Sequence, residues 1–225
     1  MDKTAIRHAA TVIVVRDAHA KTPSVLMGQR GAKAAFMPSK YVFPGGAVDP
    51  DDAIALQVDE MAPSCRTKLG HDARGTSAAA VAGAAIRELW EETGLRLGIN
   101  APASDKPELS ESWQSFFASG AQPAPSALRY VFRAITPPGR PRRFDARFLL
   151  TTADALMDDP DDFSKASDEL SHLHWVPLAE ARALNLPFIT EVVLGEVAGA
   201  LPDLAAPEGV PFFQHDDTLS KFARL

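Results

Sequence analysis

The sequence predicts a layered domain of the α/β or α+β class. Three observations predict it: aliphatic and β-branched runs of strand length recur along the chain, one long Ala-, Leu- and Glu-rich segment stands between them, and further helix-forming stretches follow the last strand. At 225 residues the chain suits one domain with additions rather than two full domains.

In chain order, Ala9–Val15 and Ser24–Gln29 read as two paired strands separated by a polar stretch holding Pro23. Phe36–Phe43 reads as a loop and short strand that stops at Pro44-Gly45-Gly46. Asp49–Gly75 is polar, Asp-rich and turn-prone, with one short helical piece around Ala53–Met61. Ala78–Thr93 is the strongest helix of the chain, and Gly94 suits the position that ends it. A shorter helix is expected over Glu108–Ala118. Leu128–Ile135 and Ala146–Thr151 read as strands on either side of Pro137-Pro138-Gly139-Arg140-Pro141. The strand His172–Val176 leads through Pro177 into helices near Leu178–Leu184 and Phe188–Leu201, and the stretch from Pro202 reads as an irregular tail. There is no internal repeat and no low-complexity tract.

Composition excludes several classes. Apolar residues make up 46% of the chain, enough for a core, while the mean hydropathy of −0.08 and the lack of an 18-residue apolar run argue against a membrane span. Met1-Asp2-Lys3-Thr4 runs into a strand-like segment without the pattern of a signal peptide. Cys65 is the only cysteine, which rules out an internal disulfide and makes a reducing cytoplasm the expected home. The lone thiol reads as inert. A net charge of −6 argues against nucleic-acid duplexes as partners, since those need a concentrated positive surface. An acidic protein that handles phosphates needs metal ions to neutralise them.

The segment Arg87-Glu88-Leu89-Trp90-Glu91-Glu92-Thr93-Gly94-Leu95 carries the chemistry. On a helix, Glu88, Glu91 and Glu92 fall within an arc of about 100°, with Ile86, Leu89 and Trp90 on the opposite side. Arg87 sits four residues before Glu91, where it can orient that carboxylate. Clustered carboxylates repel one another, and a bound Mg²⁺ or Mn²⁺ would reverse that penalty. Taken alone, such a face is also what an ordinary solvated helix shows.

Pro44-Gly45-Gly46 changes that balance, because a glycine loop lets backbone approach a ligand or the helix closely. Together, Gly45-Gly46 and Arg-Glu-Leu-x-Glu-Glu-x-Gly-Leu resemble the box of the Nudix family, Gly-x5-Glu-x7-Arg-Glu-U-x-Glu-Glu-x-Gly-U with U aliphatic. Arg87, Glu88, Leu89, Glu91, Glu92, Gly94 and Leu95 match every fixed position of its second half. One departure stands out. Gly46 to Arg87 spans 41 positions, 27 more than the pattern's 14, and the place of the first Glu falls on Asp52 or is absent.

A long insert there resembles the coenzyme A diphosphatase branch of the family. Val25–Arg30, Phe36-Met37-Pro38, Val42–Gly46 and Arg142-Arg143-Phe144-Asp145-Ala146-Arg147-Phe148 agree with that branch. The resemblance spans roughly Ala9 to Leu184. It implies a Nudix α/β/α sandwich, a mixed sheet between helices, forming a single domain over residues 1–225 with an insert at about 53–75 and a tail from about 202.

The resemblance further implies metal-dependent hydrolysis of a diphosphate bond in a nucleoside-linked small molecule, with coenzyme A or its thioesters first, and ADP-ribose, NADH or another nucleotide as the alternative. A non-catalytic nucleotide-sensing module is the alternative of another class. Glu88, Glu91 and Glu92 would hold Mg²⁺ or Mn²⁺. The candidate catalytic residues are Glu92, Glu91, Arg87 and Glu169, the last because an acid outside the box often serves as base in this family. Gly45, Gly46, Arg30, Arg142 and Arg143 are the candidate substrate contacts. A homodimer is compatible with this reading.

Weaker signals remain open. His172 and His174 alternate along a strand and read as a polar sheet face rather than a metal pair, since no third such ligand stands nearby. Arg140, Arg142, Arg143 and Arg147 can serve as phosphate receptors or as a solvated hinge. The closing Ala223-Arg224-Leu225 resembles a peroxisomal address, which has meaning only in a eukaryote.

Overall fold

The computed structural model describes residues 5–34, 36–56, 59–215 and 219–225. The terminal Met1-Asp2-Lys3-Thr4 and part of the expected helix Ala53–Met61 lie outside them.

Alternation along the strands builds two cores. In β1 (Ile6–Arg16), Val12 and Val14 point to one face while Ile13 and Val15 point to the other, all fully buried. The same split occurs in β2 (Ser24–Arg30), where Leu26 joins the first core and Val25 and Met27 the second. β3 is Tyr41–Val42 and β4 is Gly45–Ala47. Three helices cover the first face: α1 (Asp52–Ala55), α2 (Pro63–Gly70) and α3 (Ala78–Thr93). After β5 (Gly98–Asn100), α4 (Glu111–Ala118) adds Trp113, Phe116 and Phe117 to that core. β6 (Ala121–Pro123) pairs with β5 in a separate two-stranded ribbon.

β7 (Arg129–Ile135) and β8 (Arg143–Thr152) form an antiparallel pair, and β8 runs parallel to β1 over ten residues. β9 (Leu170–Pro177) covers the open edge of β2. α5 (Phe188–Ala200) seals the second face through Val193, Leu194 and Val197. β10 (Pro211–His215) and β11 (Ser220–Arg224) complete the sheet, whose order is β11-β10-β7-β8-β1-β2-β3 with β4 on β1 and β9 on β2. Since β1–β8 and β7–β10 are parallel and the other pairs antiparallel, the sheet is mixed and lies between helical layers, as the sequence predicts. No helix among the described residues is long and apolar enough to cross a membrane.

Four expectations need correction. The helix expected from Ala53 is a single turn that starts one residue earlier and ends at Ala55. The polar, turn-prone insert at 53–75 also adds to the core: it contains α2, and Ala55, Met61, Cys65 and Leu69 are buried in the first core. The stretch from Pro202 is not wholly irregular, because β10 and β11 extend the sheet edge. The helix expected over Leu178–Leu184 reduces to a short turn at Ala181–Ala183, bracketed by Pro177 and Pro187.

Candidate active site

The N-terminal half of β1 takes β4 as its neighbour, with Thr11 opposite Gly45 and Ala10 opposite Gly46. This lays the glycine loop against the face that α3 crosses. α3 begins at Ser77, whose side chain accepts the Ala80 N–H, and ends where Gly94 adopts a left-handed conformation at φ 75°. The last turns of α3 thereby stand beside the loop. A Cβ on Gly46 would run into the Glu88 carboxylate, so only glycine lets the two approach this closely.

Arg87 organises the site from within. Its guanidinium is almost wholly buried and donates from Nε to Asp52 Oδ1 at 2.8 Å and from Nη2 to Asp52 Oδ2 at 3.1 Å. Nη1 donates to Glu88 Oε1 at 2.8 Å and to both Glu91 oxygens at 3.2 and 3.3 Å, while Nη2 also reaches the Ala47 carbonyl at 2.8 Å. One side chain thus ties β4, α1 and α3 together. Burial opposes its charge, but the surrounding carboxylates outweigh burial and hold its pKa above the ordinary value. Arg87 is therefore a positioning residue rather than a group open to substrate.

Asp52 is the residue the sequence left in doubt. It is fully buried and also accepts the Trp113 Nε1–H at 3.0 Å and the Asp49 N–H at 2.8 Å. A Cβ on Gly83 would run into the Asp52 carbonyl, so the small residue in α3 admits α1. Its place six positions after Gly46 was the one available signal.

Glu92 Oε2 accepts the Gly45 N–H at 2.8 Å, while Oε1 is buried without a hydrogen-bond partner. Burial, then the Glu88 charge, push the Glu92 carboxyl well above its ordinary range, against the pull of the Gly45 N–H. Burial likewise pushes Glu88 up to about 7, with Arg87 opposing and Glu91 adding to the rise. Arg30 and Glu169 flank these acids, paired through Nη2 and Oε1 at 2.9 Å. The loop before β9 that carries Glu169 is docked on α3 by the Ser167 N–H bond to the Glu91 carbonyl at 3.0 Å.

Among the described residues no three Asp, Glu, His or Cys side chains close on a common point as a ready metal cage. Arg87 draws Glu88 and Glu91 toward itself. Mg²⁺ keeps several of its waters and uses only one or two protein carboxylates, so an open set suits it. The orphaned Glu92 Oε1 and the mutual repulsion of Glu88, Glu91 and Glu92 fit a hard divalent cation.

Other expected residues stand elsewhere. Arg143 donates from Nε to the Thr136 carbonyl at 3.1 Å, stapling the β7–β8 hairpin, and Arg142 is exposed in its turn. Arg147 stands in the row of Gly46, and Arg143 lies four residues, about 13 Å, along the strand from it. The structure therefore does not bring Arg142 or Arg143 to the acids. Arg147 is no phosphate receptor either: it is buried, bonded to Asp145, His8 and the Ala73 carbonyl. With Arg133, which holds Asp145 at 2.8 Å through two bonds and the Asp72 carbonyl at 2.9 Å, it clamps the end of the insert to the sheet. His172 and His174 are both exposed, but a β-bulge in which His172 takes a positive φ of 52° breaks the alternation expected along this strand. Cys65 is buried, its sulfur accepts the Tyr130 N–H at 3.1 Å, and burial raises its pKa, which disfavours the thiolate.

No family model matches the chain. It is 33% identical over 180 residues to nudix hydrolase 7 of Caenorhabditis elegans, covering 76% of this chain and 51% of that protein, so the chain spans about half the length of the curated relative it matches. The crystal structure of a Nudix hydrolase from Alicyclobacillus acidocaldarius shares 28% identity and a TM-score of 0.66, covering 90% of this chain and 96% of that one. The fold is that of the Nudix structures, and the sequence and structural relatives together support that family.

Proposed function

We infer that the chain is a Nudix hydrolase that cleaves a diphosphate bond in a nucleoside-linked small molecule, using Mg²⁺ or Mn²⁺. The observation that carries this reading is Glu92: a buried carboxylate anchored by the Gly45 N–H at one oxygen, with the other left unpartnered beside Glu88. A carboxylate buried this way costs stability unless something positive meets it. Glu92, Glu88 and Glu91 would hold the cation, which polarises phosphoryl oxygens and activates a bound water when present.

The chain's own residues do the rest. Arg87 fixes the rotamers of Glu88 and Glu91, and Asp52 fixes Arg87. The Gly45-Gly46 loop lets Glu88 lie against the backbone and gives its Gly45 N–H to Glu92, which sets both acids in place. Arg30 offers the diphosphate a guanidinium, and Glu169 is the candidate base for the attacking water.

Coenzyme A or a thioester of it is the substrate we place first, ahead of ADP-ribose and NADH. Its support is the 41-position spacing between Gly46 and Arg87 and the branch motifs around Arg30 and Phe144. Arg142, exposed at the β7–β8 turn, is the remaining candidate for the 3′-phosphate, with Arg143 beside it.

The test is a product-resolved screen of coenzyme A, dephospho-coenzyme A, ADP-ribose and NADH with each metal. Metal-dependent release of two monophosphate products from any of them supports the hydrolase reading, and preference for coenzyme A supports the finer one. No turnover of any diphosphate with either metal contradicts the reading.

A further inference from the structure

Arg30 and Glu169 meet beside the acid cluster on backbones that are held in place. Arg30 ends β2, where its N–H bonds the Lys40 carbonyl at 2.9 Å and its carbonyl accepts the Ser39 N–H at 3.1 Å. In the sheet it stands opposite Leu170, the residue after Glu169. Leu26 points into the core under α3, and Arg30, four residues on, shares that face. The Glu169 backbone is tethered through the docked loop at Ser167, yet its side chain is 55% exposed.

Two further observations bear on this pair. Arg30 Nε is buried without a hydrogen-bond partner, so the guanidinium holds an unspent donor next to the one it gives Glu169. The Glu169 charge acts unfavourably on both Glu88 and Glu92, while the Arg30 charge favours ionised Glu92, so the pair lies within electrostatic reach of the acids.

We propose that the Arg30–Glu169 ion pair is an exchangeable latch, in which the substrate's diphosphate takes Arg30 from Glu169 and thereby frees the Glu169 carboxylate beside the acids. This rests on the diphosphate-hydrolase reading above. Glu169 takes a single bond from Arg30, Nη2 to Oε1, whereas a phosphoryl group placed across the guanidinium fork employs the idle Nε together with an Nη donor. At rest Arg30 screens Glu169 from its acidic neighbours. After exchange, a divalent cation held by Glu88, Glu91 and Glu92 would take over that screening. The latch makes Glu169 available only when substrate is present. In this role Arg30 is a substrate contact and Glu169 its competitor.

A double-mutant cycle tests this with α,β-methylene-ADP, a diphosphate that resists cleavage, binding in the presence of Mg²⁺ and followed by calorimetry. Glu169→Gln removes the competitor and tightens binding by about threefold, the scale of one half-exposed ion pair. Arg30→Ala weakens binding by about tenfold or more, the scale of a lost charge-assisted bond. In the Arg30→Ala background, Glu169→Gln brings no gain. Arg30→Gln replaces Arg30→Ala if the latter does not fold.

Unchanged or weaker binding by Glu169→Gln overturns the latch. So does a gain that survives in the Arg30→Ala background, since that is simple relief of repulsion. If the wild-type protein cleaves diphosphates but the cycle shows no coupling, the latch alone falls. If it neither binds the probe nor cleaves any diphosphate with either metal, the hydrolase reading falls and takes the latch with it.

Discussion

Asp52 and Arg87, 35 residues apart in sequence, face each other in a buried two-point ion pair, Nε to Oδ1 at 2.8 Å and Nη2 to Oδ2 at 3.1 Å. The pair closes the site across the insert. Asp52 stands six residues after Gly46, in the position where the shorter pattern carries a glutamate, and the whole insert lies between Asp52 and the helix.

Removing one partner of a buried pair leaves an uncompensated charge, so Asp52→Ala destabilises the protein by about 3–5 kcal/mol. Trp113 Nε1 loses its acceptor in the same variant. Urea unfolding measures this. A loss below about 1 kcal/mol, the value of an ordinary surface pair, contradicts the role given to Asp52.

Much of this site was legible in the sequence. The second half of the box is contiguous and sits on one helix, so spacing alone placed Glu88, Glu91 and Glu92 on one side and Arg87 within reach of Glu91. Asp52 was not, because what identifies it is a tertiary contact with Arg87, Gly83 and Trp113. In β8, Asp145 and Arg147 alternate like a solvated strand face, and it is their tertiary contacts with Arg133, His8 and the Ala73 carbonyl that bury them. α2 was missed because Pro, Ser, Arg, Thr and Lys dominate it, and just Cys65 and Leu69 anchor it. β10 and β11 are short strands at the end of the sheet; β10 opens with a proline and buries only its first two residues, and β11, the edge strand, is exposed throughout, so neither shows a strand's alternation.

The insert therefore contributes to the fold. Leu69→Ala empties a buried site in the first core and costs about 2–5 kcal/mol. Replacing residues 53–75 by a Gly/Ser linker removes four buried side chains and the carbonyls that Arg133 and Arg147 clamp, and yields no cooperatively folding protein. A linker variant that melts cooperatively near the wild-type temperature contradicts this.

Gly46→Ala pushes a methyl group into the Glu88 carboxylate. Displacing a site group by about 1 Å costs on the order of 100-fold in rate. Turnover should fall by that order while the melting temperature changes little, because the loop stands at the rim of the core. Retention of full activity argues against the close approach of Gly46 and Glu88.

Stability should respond to pH and metal together. The Glu88 carboxyl is raised to about 7 in the folded protein against an ordinary 4.5. Between these values the unfolded chain has released a proton that the folded protein retains, so metal-free stability falls as pH rises through the window. A divalent cation binds the ionised form, so its stabilising effect grows over the same range. Melting temperatures at pH 5.5 and 8, with and without Mg²⁺, measure this. A magnesium shift that is larger at pH 5.5 contradicts it.

The central claim is that Glu92 carries metal-dependent diphosphate hydrolysis. Glu92→Gln keeps the size of the side chain and its bond from the Gly45 N–H while removing its charge. The direct measurement is kcat of Glu92→Gln and wild type, with saturating Mg²⁺, on the best substrate from the diphosphate screen, alongside a melting curve of each. The account predicts a fall of about 100-fold or more in kcat with the fold retained, the scale of losing one key electrostatic group. Wild-type turnover by a well-folded Glu92→Gln protein would contradict it.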